Sequence, residues 1–484
     1  MDSPLHVLIG AFGAALLLTP FASLVATRRG WVDRPGPRKV HDRATPLFGG
    51  AAVIGSFAVV LALALWPSGA AEPAVELDRR LLAIVAGGAL MFAVGLRDDL
   101  RQLGAVSKLI AQLAAASVVA LSGVSISGIS LGPGVELELG IFGFPLTVLW
   151  IVWATNALNI IDGLDSLACG LALIGAGVVS WAAWSGGNES ASLMMLALMG
   201  AVGGFGPYNA HPARIFLGDA GSLFIGFVLA ATSALVASEA TTLAGFTVPV
   251  LALGIPVLDL SFAAFRRLLE GRSIMSADRN HIHHRLSGLG YGQRKTVVLL
   301  CGVALLSVAP VVLLQGGPLQ EGLAFAGSLF LLVWLFSKAG AIRLTESFAA
   351  FRQVASSARA VSDEKHAVDE LTLVFRDVRS VEQWWAVVVK TADVLGFTGL
   401  SMELPSRSGG VRSLSWSRDQ GDGAERRCCE ATRLTIPVGD RRGPSHLRLQ
   451  VVVEHEADSR TLGRRIALFH PFLSANGLDR IDVE

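Results

Sequence analysis

The chain has 484 residues, of which 52% are hydrophobic and only 16% are charged. Soluble globular domains carry about 25% charged residues, so this composition excludes a wholly soluble protein and indicates that much of the chain lies in lipid. The net charge of +1 does not separate one function class from another, because the charges are unevenly placed along the chain. The four scattered cysteines exclude a disulfide framework.

Eleven apolar stretches are each close to the roughly 20 residues that a helix needs to cross a bilayer. The first has no basic residue before it, which is the wrong charge order for a cleaved signal peptide. We therefore expect an all-α polytopic membrane protein with about eleven transmembrane helices. The predicted spans are residues 5–26, 48–66, 81–97, 106–124, 144–160, 167–185, 190–206, 220–237, 244–263, 296–314 and 321–338.

Lysine and arginine are concentrated in every second loop between these spans, whereas the alternate loops hold only Arg79 and Arg80. Because basic loops stay in the cytoplasm, the N-terminus is predicted outside. With an odd number of spans, the C-terminus is then cytoplasmic, and the protein is expected in the inner membrane. The basic residues of the predicted inner loops are Arg28, Arg29, Arg34, Arg38, Lys39, Arg43, Arg97, Arg101, Lys108, Arg214, Arg266, Arg267, Arg272, Arg279, Arg285, Arg294 and Lys295.

The composition changes near residue 340, where the apolar spans end and charged, amphipathic sequence begins. Alternating stretches at 371–375 and 447–453 predict strands, and residues 386–395 continue a predicted helix. We expect a membrane domain over residues 1–340 and a small α+β cytoplasmic domain over residues 341–484. The second domain has no constellation of catalytic residues. It is interpreted as a docking or stabilising appendage, with a GAF-like or other regulatory fold as the alternative.

Four polar clusters interrupt the membrane domain, and by the predicted topology all four face the cytoplasm. Charged side chains at membrane depth are costly and usually functional. A structural alternative exists for single members, because Asp99 and Asp219 could each cap a helix. Four clusters on one face make that explanation insufficient. Their key residues are Asp98 and Asp99 after the third span, Asn159, Asp162 and Asp165 after the fifth, Asp219 before the eighth, and His281, His283 and His284 after the ninth.

These residue types together indicate phosphoryl chemistry. Carboxylates without thiolates suit Mg²⁺, which takes one or two carboxylates plus the phosphates of its substrate. Glycines in the segment 216–222 let backbone amides approach an anion at a helix N-terminus. Arginine and lysine neutralise further phosphate charge. The residues alone therefore predict metal-assisted phosphoryl transfer at the inner membrane surface, without naming the substrate.

The histidine cluster at 281–284 has a metal-binding alternative, because clustered histidines often bind Zn²⁺. No cysteine lies near it, and the surrounding loop is strongly basic. Contact with phosphate or with sugar hydroxyls is the preferred interpretation.

The motifs Asp-Asp, Asn-x-x-Asn-x-x-Asp-Gly-x-Asp, Phe-x-Gly-Asp-x-Gly-Ser and His-x-His-His follow one another along the chain. In this order they resemble the polyprenyl-phosphate N-acetylhexosamine-1-phosphate transferases, a glycosyltransferase family that also includes phospho-MurNAc-pentapeptide translocase. The resemblance covers residues 1–340. The segment 276–286, with its His-x-His-His, is similar to the undecaprenyl-phosphate GlcNAc-1-phosphate transferase branch, whereas the translocase branch carries three consecutive histidines.

The resemblance implies a role for each matching position. Asp219 would be the main Mg²⁺ ligand, and Asp98 and Asp99 would lie where the lipid phosphate approaches, one of them deprotonating it or helping to place the metal; Asp99 is therefore a second candidate ligand. Lys108 would contact the phosphates. The expected substrate-binding residues are Lys39, His41, Thr45, Asn159, Asp162, Asp165, Asn209, Phe216, Arg279, His281, His283 and His284; among them Asp165 would lie near the uracil, Phe216 would stack on the base and Asn209 would bond its edge.

By the same resemblance, the reaction moves GlcNAc-1-phosphate, or a related N-acetylhexosamine-1-phosphate, from a UDP-sugar to undecaprenyl phosphate and releases UMP. It would be the first membrane step of a cell-envelope polysaccharide. Mg²⁺ is the expected cofactor, with Mn²⁺ as the alternative. The expected partners are the nucleotide sugar, the polyprenyl phosphate, membrane lipid and a second copy of the chain in a homodimer; no nucleic-acid partner is expected. Direct attack by the lipid phosphate is preferred over an aspartyl-phosphate intermediate.

Two alternatives to this function stay open at the level of sequence. The first is the same chemistry on another donor, either the phospho-MurNAc-pentapeptide nucleotide or another N-acetylhexosamine nucleotide. The second is a transporter or channel, although the acidic residues lie at predicted helix ends rather than at mid-membrane. One position departs from the family pattern: Ser166 stands where a second glycine is common, and a serine there is costly only if its φ is positive.

Overall fold

A computed structural model describes residues 4–35, 43–66, 78–132, 135–240, 242–270, 272–273, 280–314, 317–340, 362–405, 411–418, 432–440, 443–453 and 459–478. Three residues predicted to bind substrate, Lys39, His41 and Arg279, lie outside these ranges. The chain divides into two compact units, Met1–Ser347 and Phe348–Glu484.

The first unit is a bundle of helices with two small β-ribbons. Strands β1 (Val32–Asp33) and β2 (Thr45–Pro46) pair antiparallel, as do β3 (Gly128–Gly132) and β4 (Val135–Glu138). The helices are α1 (Pro4–Arg29), α2 (Gly49–Ala64), α3 (Arg79–Leu100), α4 (Ala105–Leu121), α5 (Gly143–Ile161), α6 (Leu167–Ser185), α7 (Glu189–Asn209), α8 (Gly218–Ser238), α9 (Leu243–Ala252), α10 (Gly254–Leu269), α11 (Ile282–Gly288), α12 (Gln293–Leu313) and α13 (Pro318–Lys338).

Each of the eleven predicted spans coincides with a helix or, in one case, with two. Within the described ranges, eight helices are long and apolar enough to cross a membrane, and a ninth span arises if α9 and α10 are counted together. That pair bends by 70° at its junction, and α2 and α4 are apolar but only 16 and 17 residues long. The structure confirms a multi-pass helical membrane protein with a small sheet near the C-terminus. The count of eleven crossings is not confirmed, because one predicted span is broken and two are short.

Helix α8 lies at the centre of the bundle, and every residue from Ala220 to Ala237 is buried. A helix with apolar residues on all sides is typical of a position without lipid or water contact. Helices α3 and α5 pack directly against it. At the far end of this group, Arg80 on α3 bonds Glu239, which follows α8, and Glu239 also accepts a hydrogen bond from Asn188, at the start of α7. The polar clusters of the sequence lie at the opposite end.

The second unit is a four-stranded antiparallel sheet with helices packed on it. The strands lie in the order β6-β5-β8-β7. Its core contains Trp384, Phe397 and Phe469, none of which is exposed to solvent. The predicted strand at 447–453 falls within β8, whereas residues 371–374 are helical. The elements are β5 (Gly399–Pro405), β6 (Val411–Ser417), β7 (Thr432–Asp440), β8 (Gly443–Val453) and the helices 362–374, Val381–Val394 and Ser459–Ala475.

The close packing of α3 on α8 predicts a large effect of a very small substitution. A Cβ atom on Gly95 would lie 2.3 Å from the carbonyl oxygen of Asp219. Overpacking of this kind costs about 1–3 kcal/mol, so Gly95→Ala should lower the melting temperature of the purified protein. Gly302→Ala, on α12, is the matched control, because a Cβ there meets no atom within 4 Å. Equal melting temperatures for the two variants would contradict the packing described.

Candidate active site

Asp99, at the end of α3, caps the N-terminus of α8. Its Oδ1 accepts a hydrogen bond from the backbone N–H of Asp219 at 2.9 Å, and its Oδ2 accepts one from Ala220 at 3.0 Å. Leu217, which precedes α8, offers no side-chain cap of its own. The chain enters α8 through Gly218 with a φ of +73°, and a Cβ on this residue would lie 2.7 Å from Oδ2 of Asp99. Asp99 is therefore a helix cap, as considered from the sequence. The helix that it caps is α8 and not the next helix along the chain.

Lys108 joins the two other carboxylates of this region. Its Nζ donates to Oδ2 of Asp98 at 2.8 Å and to Oδ2 of Asp219 at 3.0 Å. Asn159 donates from Nδ2 to Oδ1 of Asp219 at 3.0 Å. Five residues singled out from the sequence, carried by α3, α4, α5 and α8, thus meet in one hydrogen-bonded cluster: Asp98, Asp99, Lys108, Asn159 and Asp219.

A partly buried amide pair lies one helical turn from this cluster; Asn156 belongs to a motif quoted from the sequence, whereas Gln112 was missed. Gln112 and Asn156 exchange two side-chain hydrogen bonds, of 2.7 and 3.2 Å. Gln112 lies one turn after Lys108 on α4, and its side chain is 1% exposed. Asn156 lies one turn before Asn159 on α5. Because residues four or three apart share a helix face, the pair sets the register at which Lys108 and Asn159 reach Asp219. The available signal was a glutamine within an apolar span.

Asp162 follows α5 and lacks the partners that its neighbours have. Within the described part of the chain, no side-chain or backbone group donates a hydrogen bond to its carboxylate. Burial, together with the nearby charges of Asp219, Asp99 and Asp165, raises the pKa of Asp162 to about 8. An unpaired carboxylate beside other carboxylates is a position at which a bound cation would be strongly favoured.

The cluster opens into a cavity of about 1010 Å³. Most of the predicted site residues in the described chain reach its wall, together with basic residues and polar groups not predicted. The predicted members are Thr45, Asp99, Asp162, Asp165, Asn209, Phe216, Asp219 and His284, and the additional polar members are Asp33, Arg43, His211, Arg214 and Gln293. Asp98, Lys108, Asn159, His281 and His283 are not among the lining residues.

Backbone pairing places Phe216 on the cavity wall beside the segment that follows α1. The N–H of Phe216 donates to the carbonyl oxygen of Pro46 at 2.9 Å, and the N–H of Gly49 donates to the carbonyl oxygen of Phe216 at 3.0 Å. Leu47 and Phe216 form a parallel bridge. Thr45 is 6% exposed and lies at the cavity edge of the same pairing. The structure thus brings the segment that carries Thr45 against Phe216, the residue that the resemblance places on the base.

Asp165 and Asn209, both predicted to contact the base, also bond to the protein itself. Oδ2 of Asp165 accepts from Nδ1 of His211 at 2.7 Å and from the N–H of Ala213 at 3.1 Å. Oδ1 of Asn209 accepts from the N–H of Ser166 at 2.9 Å, and its Nδ2 donates to the carbonyl oxygen of Ile215. These bonds fix the loops after α5 and α7 relative to each other. His211 was missed from the sequence, although it lies in the same polar loop as Arg214.

The three histidines of the predicted cluster have different surroundings. His281 and His283 are 6% and 2% exposed, whereas His284 is exposed and lines the cavity. His281 bonds Asp259, a buried residue of α10 that sequence reasoning missed. In the sequence, Asp259 could have been recognised as a single carboxylate within an apolar helix. Burial and the neighbouring His284 lower the pKa of His283 to about 4, so its ring is neutral near pH 7.

Within the residues that the structure describes, no three histidine, cysteine, aspartate or glutamate side chains come together as a closed metal site. The zinc alternative for the histidine cluster therefore gains no support from this part of the chain. A Mg²⁺ site does not require such a group, because Mg²⁺ usually takes one or two carboxylates and completes its shell with water and substrate phosphate.

Residues 81–237, which carry the hydrogen-bonded cluster and Asp162, match the family model described as glycosyl transferase family 4. The chain is also 38% identical over 301 residues to a Bacillus subtilis (strain 168) protein named probable undecaprenyl-phosphate N-acetylglucosaminyl 1-phosphate transferase, across 62% of this chain and 81% of that protein. This chain belongs to glycosyl transferase family 4. The family predicted from the sequence motifs is confirmed.

Two further relatives of this family carry related names. A Mycolicibacterium smegmatis protein named decaprenyl-phosphate N-acetylglucosaminephosphotransferase is 34% identical, across 59% of this chain and 77% of its own length. An Escherichia coli (strain K12) protein named undecaprenyl-phosphate alpha-N-acetylglucosaminyl 1-phosphate transferase is 31% identical, across 64% of this chain and 83% of its own length.

The backbone at Ser166 predicts an unusual order of stabilities at a position where glycine is common in the family. Ser166 has a φ of +67°, which makes it the one non-glycine residue with positive φ in the described ranges. Ser166→Gly and Ser166→Ala both remove the hydrogen bond from Oγ to the carbonyl oxygen of Asn209. Because only alanine keeps the left-handed strain, we expect the glycine variant to be the more stable by about 1 kcal/mol.

Thermal unfolding of the purified full-length variants measures this difference. Ser56, which is buried in α2 and bonds backbone carbonyls of its own helix, is the matched control. There the order should reverse, with alanine more stable than glycine by about 1 kcal/mol, because glycine disfavours a helix interior. The same order at both positions would contradict the strained conformation of Ser166.

The low pKa of His283 predicts that stability falls with acidification. The pKa is about 4 in the folded protein, against about 6.5 in an unfolded chain, so the unfolded state binds the proton more tightly. This difference in pKa stabilises the folded protein fully above pH 6.5, and the stabilisation is lost as the pH falls toward 4. The loss amounts to about 2 kcal/mol by pH 5.

We therefore expect the wild-type melting temperature to fall between pH 7.5 and pH 5, and to fall less in His283→Gln, which cannot titrate in this range. The comparison of slopes removes the contribution of other groups. Parallel slopes for wild type and variant would show that the pKa of His283 is the same in the folded and unfolded states, and would contradict the lowered value.

Proposed function

We propose that this chain transfers GlcNAc-1-phosphate from UDP-GlcNAc to a polyprenyl phosphate such as undecaprenyl phosphate, with release of UMP. The observation that carries the proposal is the cluster in which Lys108 joins Asp98 to Asp219, because Asp219 also lines a large polar cavity. The names of the three relatives agree on GlcNAc phosphate as the transferred group and on a polyprenyl phosphate as the acceptor.

In this reaction an oxygen of the lipid phosphate attacks the β-phosphorus of the nucleotide sugar. The new P–O bond forms as the bond from the β-phosphorus to the bridging oxygen breaks, and UMP leaves with that oxygen. Since both reactants are anions, their repulsion is a large part of the barrier. The ammonium group of Lys108 lies among the site carboxylates, where it can neutralise charge on the diphosphate once substrate displaces one of its present partners.

The donor set of the site fits Mg²⁺. Asp219 and Asp162 offer oxygen ligands only, and the carboxylate of Asp162 has no hydrogen-bond donor among the described residues. We propose these two residues as the metal-binding pair, in place of the pair Asp219 and Asp99 expected from the resemblance. Both oxygens of Asp99 accept from backbone amides that are fixed at the start of α8, whereas those of Asp219 accept from the side chains of Lys108 and Asn159, which can move. Bound there, Mg²⁺ would supply positive charge to the diphosphate.

The hydrogen bonds of Asp98 and Asp99 favour direct transfer over a phosphorylated enzyme. Asp98 accepts from Lys108 and from the backbone of Leu103, and Asp99 holds the start of α8. A carboxylate that became phosphorylated would have to give up these partners. We therefore propose a single displacement in which Asp98 orients Lys108 and Asp99 orients Asp219.

We further propose that the uridine part of the donor lies in the cavity against Phe216, and that the site faces the cytoplasm. Arg43 and Arg214 on the cavity wall provide positive charge for a nucleotide diphosphate, and His284 lies on the same wall. The cytoplasmic assignment is supported by the concentration of basic residues in the loops at this end of the helices, against Arg79 and Arg80 at the other end.

A donor screen with purified full-length protein tests the proposal. UMP release is measured with undecaprenyl phosphate and, one at a time, UDP-GlcNAc, UDP-GalNAc and UDP-MurNAc-pentapeptide, with Mg²⁺ and after chelation by EDTA. We expect turnover with UDP-GlcNAc that EDTA abolishes and Mg²⁺ restores. Release of UMP with none of the donors would overturn the proposal, and turnover with only the pentapeptide donor would replace the substrate.

Asp219→Ala should lower Mg²⁺-dependent UMP release by at least about 100-fold, because it removes a proposed metal ligand and a partner of Lys108. Glu239→Gln is the matched control, since Glu239 lies at the other end of the same helix and bonds Arg80 and Asn188 there. Near-normal activity of the Asp219→Ala protein would remove this residue from the mechanism.

A further inference from the structure

Asp259 and His281 form a buried pair next to the proposed active site. Asp259 lies on α10, and its side chain is 4% exposed against 7% for that of His281. Nδ1 of His281 lies 2.9 Å from Oδ2 of Asp259, and the N–H of Ile282 donates to Oδ1 at 2.8 Å. Both oxygens of one carboxylate therefore hold two consecutive residues at the start of α11.

The chemistry of the pair defines which ring nitrogen carries the proton. A carboxylate oxygen accepts hydrogen bonds, so we assign Nδ1 of His281 as the donor to Asp259. A carboxylate that bonds one nitrogen of a histidine fixes both the tautomer and the orientation of the ring. His281 is consequently held as a rigid group and is not among the residues that line the cavity.

The ring of His281 is connected to the cavity through its neighbours His283 and His284. His283 lies parallel to it, with ring centroids 6.1 Å apart, and His284 follows at 4.2 Å from His283. His283 packs against the backbone beside Asp162, since a Cβ on Gly163 would lie 2.8 Å from its Nε2. Of the three histidines, His284 alone lines the cavity, where Asp162 and Gly163 are also found.

We propose that Asp259 and His281 are positioning residues, which seat the turn at 281–284 so that His284 contacts the substrate. This inference rests on the proposed function and deepens it. The resemblance treats the three histidines alike. In this proposal His281 and His283 hold the turn, and His284 contacts the nucleotide sugar. Nδ1 of His281 is the ring atom that this role requires, because it is the atom that contacts Asp259.

Substitutions that keep one ring nitrogen and remove the other test this statement. An asparagine places its amide nitrogen where Nδ1 lies and can still donate to Asp259, whereas a glutamine reaches the position of Nε2. In UMP release by full-length protein, we expect His281→Asn to keep kcat within about threefold of wild type. His281→Gln and His281→Ala should lower kcat by about 10- to 100-fold, as is typical when an orienting partner is lost.

Asp259→Ala, His281→Ala and the double variant form a double-mutant cycle that tests whether the two residues act together. Residues that act as one unit are non-additive, so the double variant should be no slower than the slower single variant. His284→Ala should instead raise KM for the nucleotide sugar, and His281→Asn should leave KM within about threefold of wild type. Ser261→Ala is the matched control: Ser261 is also on α10 and bonds Trp153, away from the histidines.

Several outcomes would overturn the proposal. A His281→Asn protein as slow as His281→Ala would show that Nε2 acts on the substrate, and additive losses would show independent roles for Asp259 and His281. If the alanine variants fail to fold, the order of His281→Asn over His281→Gln decides the matter alone. Wild-type UMP release, measured in parallel, separates a failure of this inference from a failure of the proposed function.

Discussion

Two hydrogen bonds from the first amides of α8 to the carboxylate of Asp99 are the interaction on which the site depends. The first amides of a helix have no partner within it, and lipid and packed side chains offer none. Because α8 is buried along its length, its cap must come from a neighbour. The end of α3 is therefore held against the start of α8, at a distance that only Gly95 and Gly218 permit. That contact places Asp219 beside Asp98.

Carboxylates brought so close together repel one another unless a cation lies between them. Lys108 meets part of this requirement, and the amide pair of Gln112 and Asn156 joins its helix, α4, to α5 one turn away. Asp162 has no compensating donor in the described structure, so burial and the neighbouring carboxylates raise its pKa. The proposed function depends on the same excess of negative charge. A metal-bound diphosphate brings the cation that the carboxylates require together with the anionic substrate.

The polar residues around the cavity serve two purposes at once. A polar group buried in the bundle is costly unless it is hydrogen-bonded, so the loops that form the site are tied together by their own side chains. Asp165 bonds His211, Asn209 bonds Ser166, and Asp259 bonds His281. Several residues that a motif marks as functional are consequently also structural. For His281 the structural role is the whole of the proposed contribution.

Much of the membrane unit could be predicted from the sequence, because apolar runs, basic loops and the order of the motifs are local properties that need no knowledge of packing. These determined the family, the helical membrane architecture and eight of the residues that line the cavity. Only the tertiary structure decided which helices are short or bent, that Asp99 caps α8, that Ser166 has a positive φ, and that Asp259 holds His281. Each of those features depends on a partner distant in sequence, and hydrophobic periodicity carries no information about such partners.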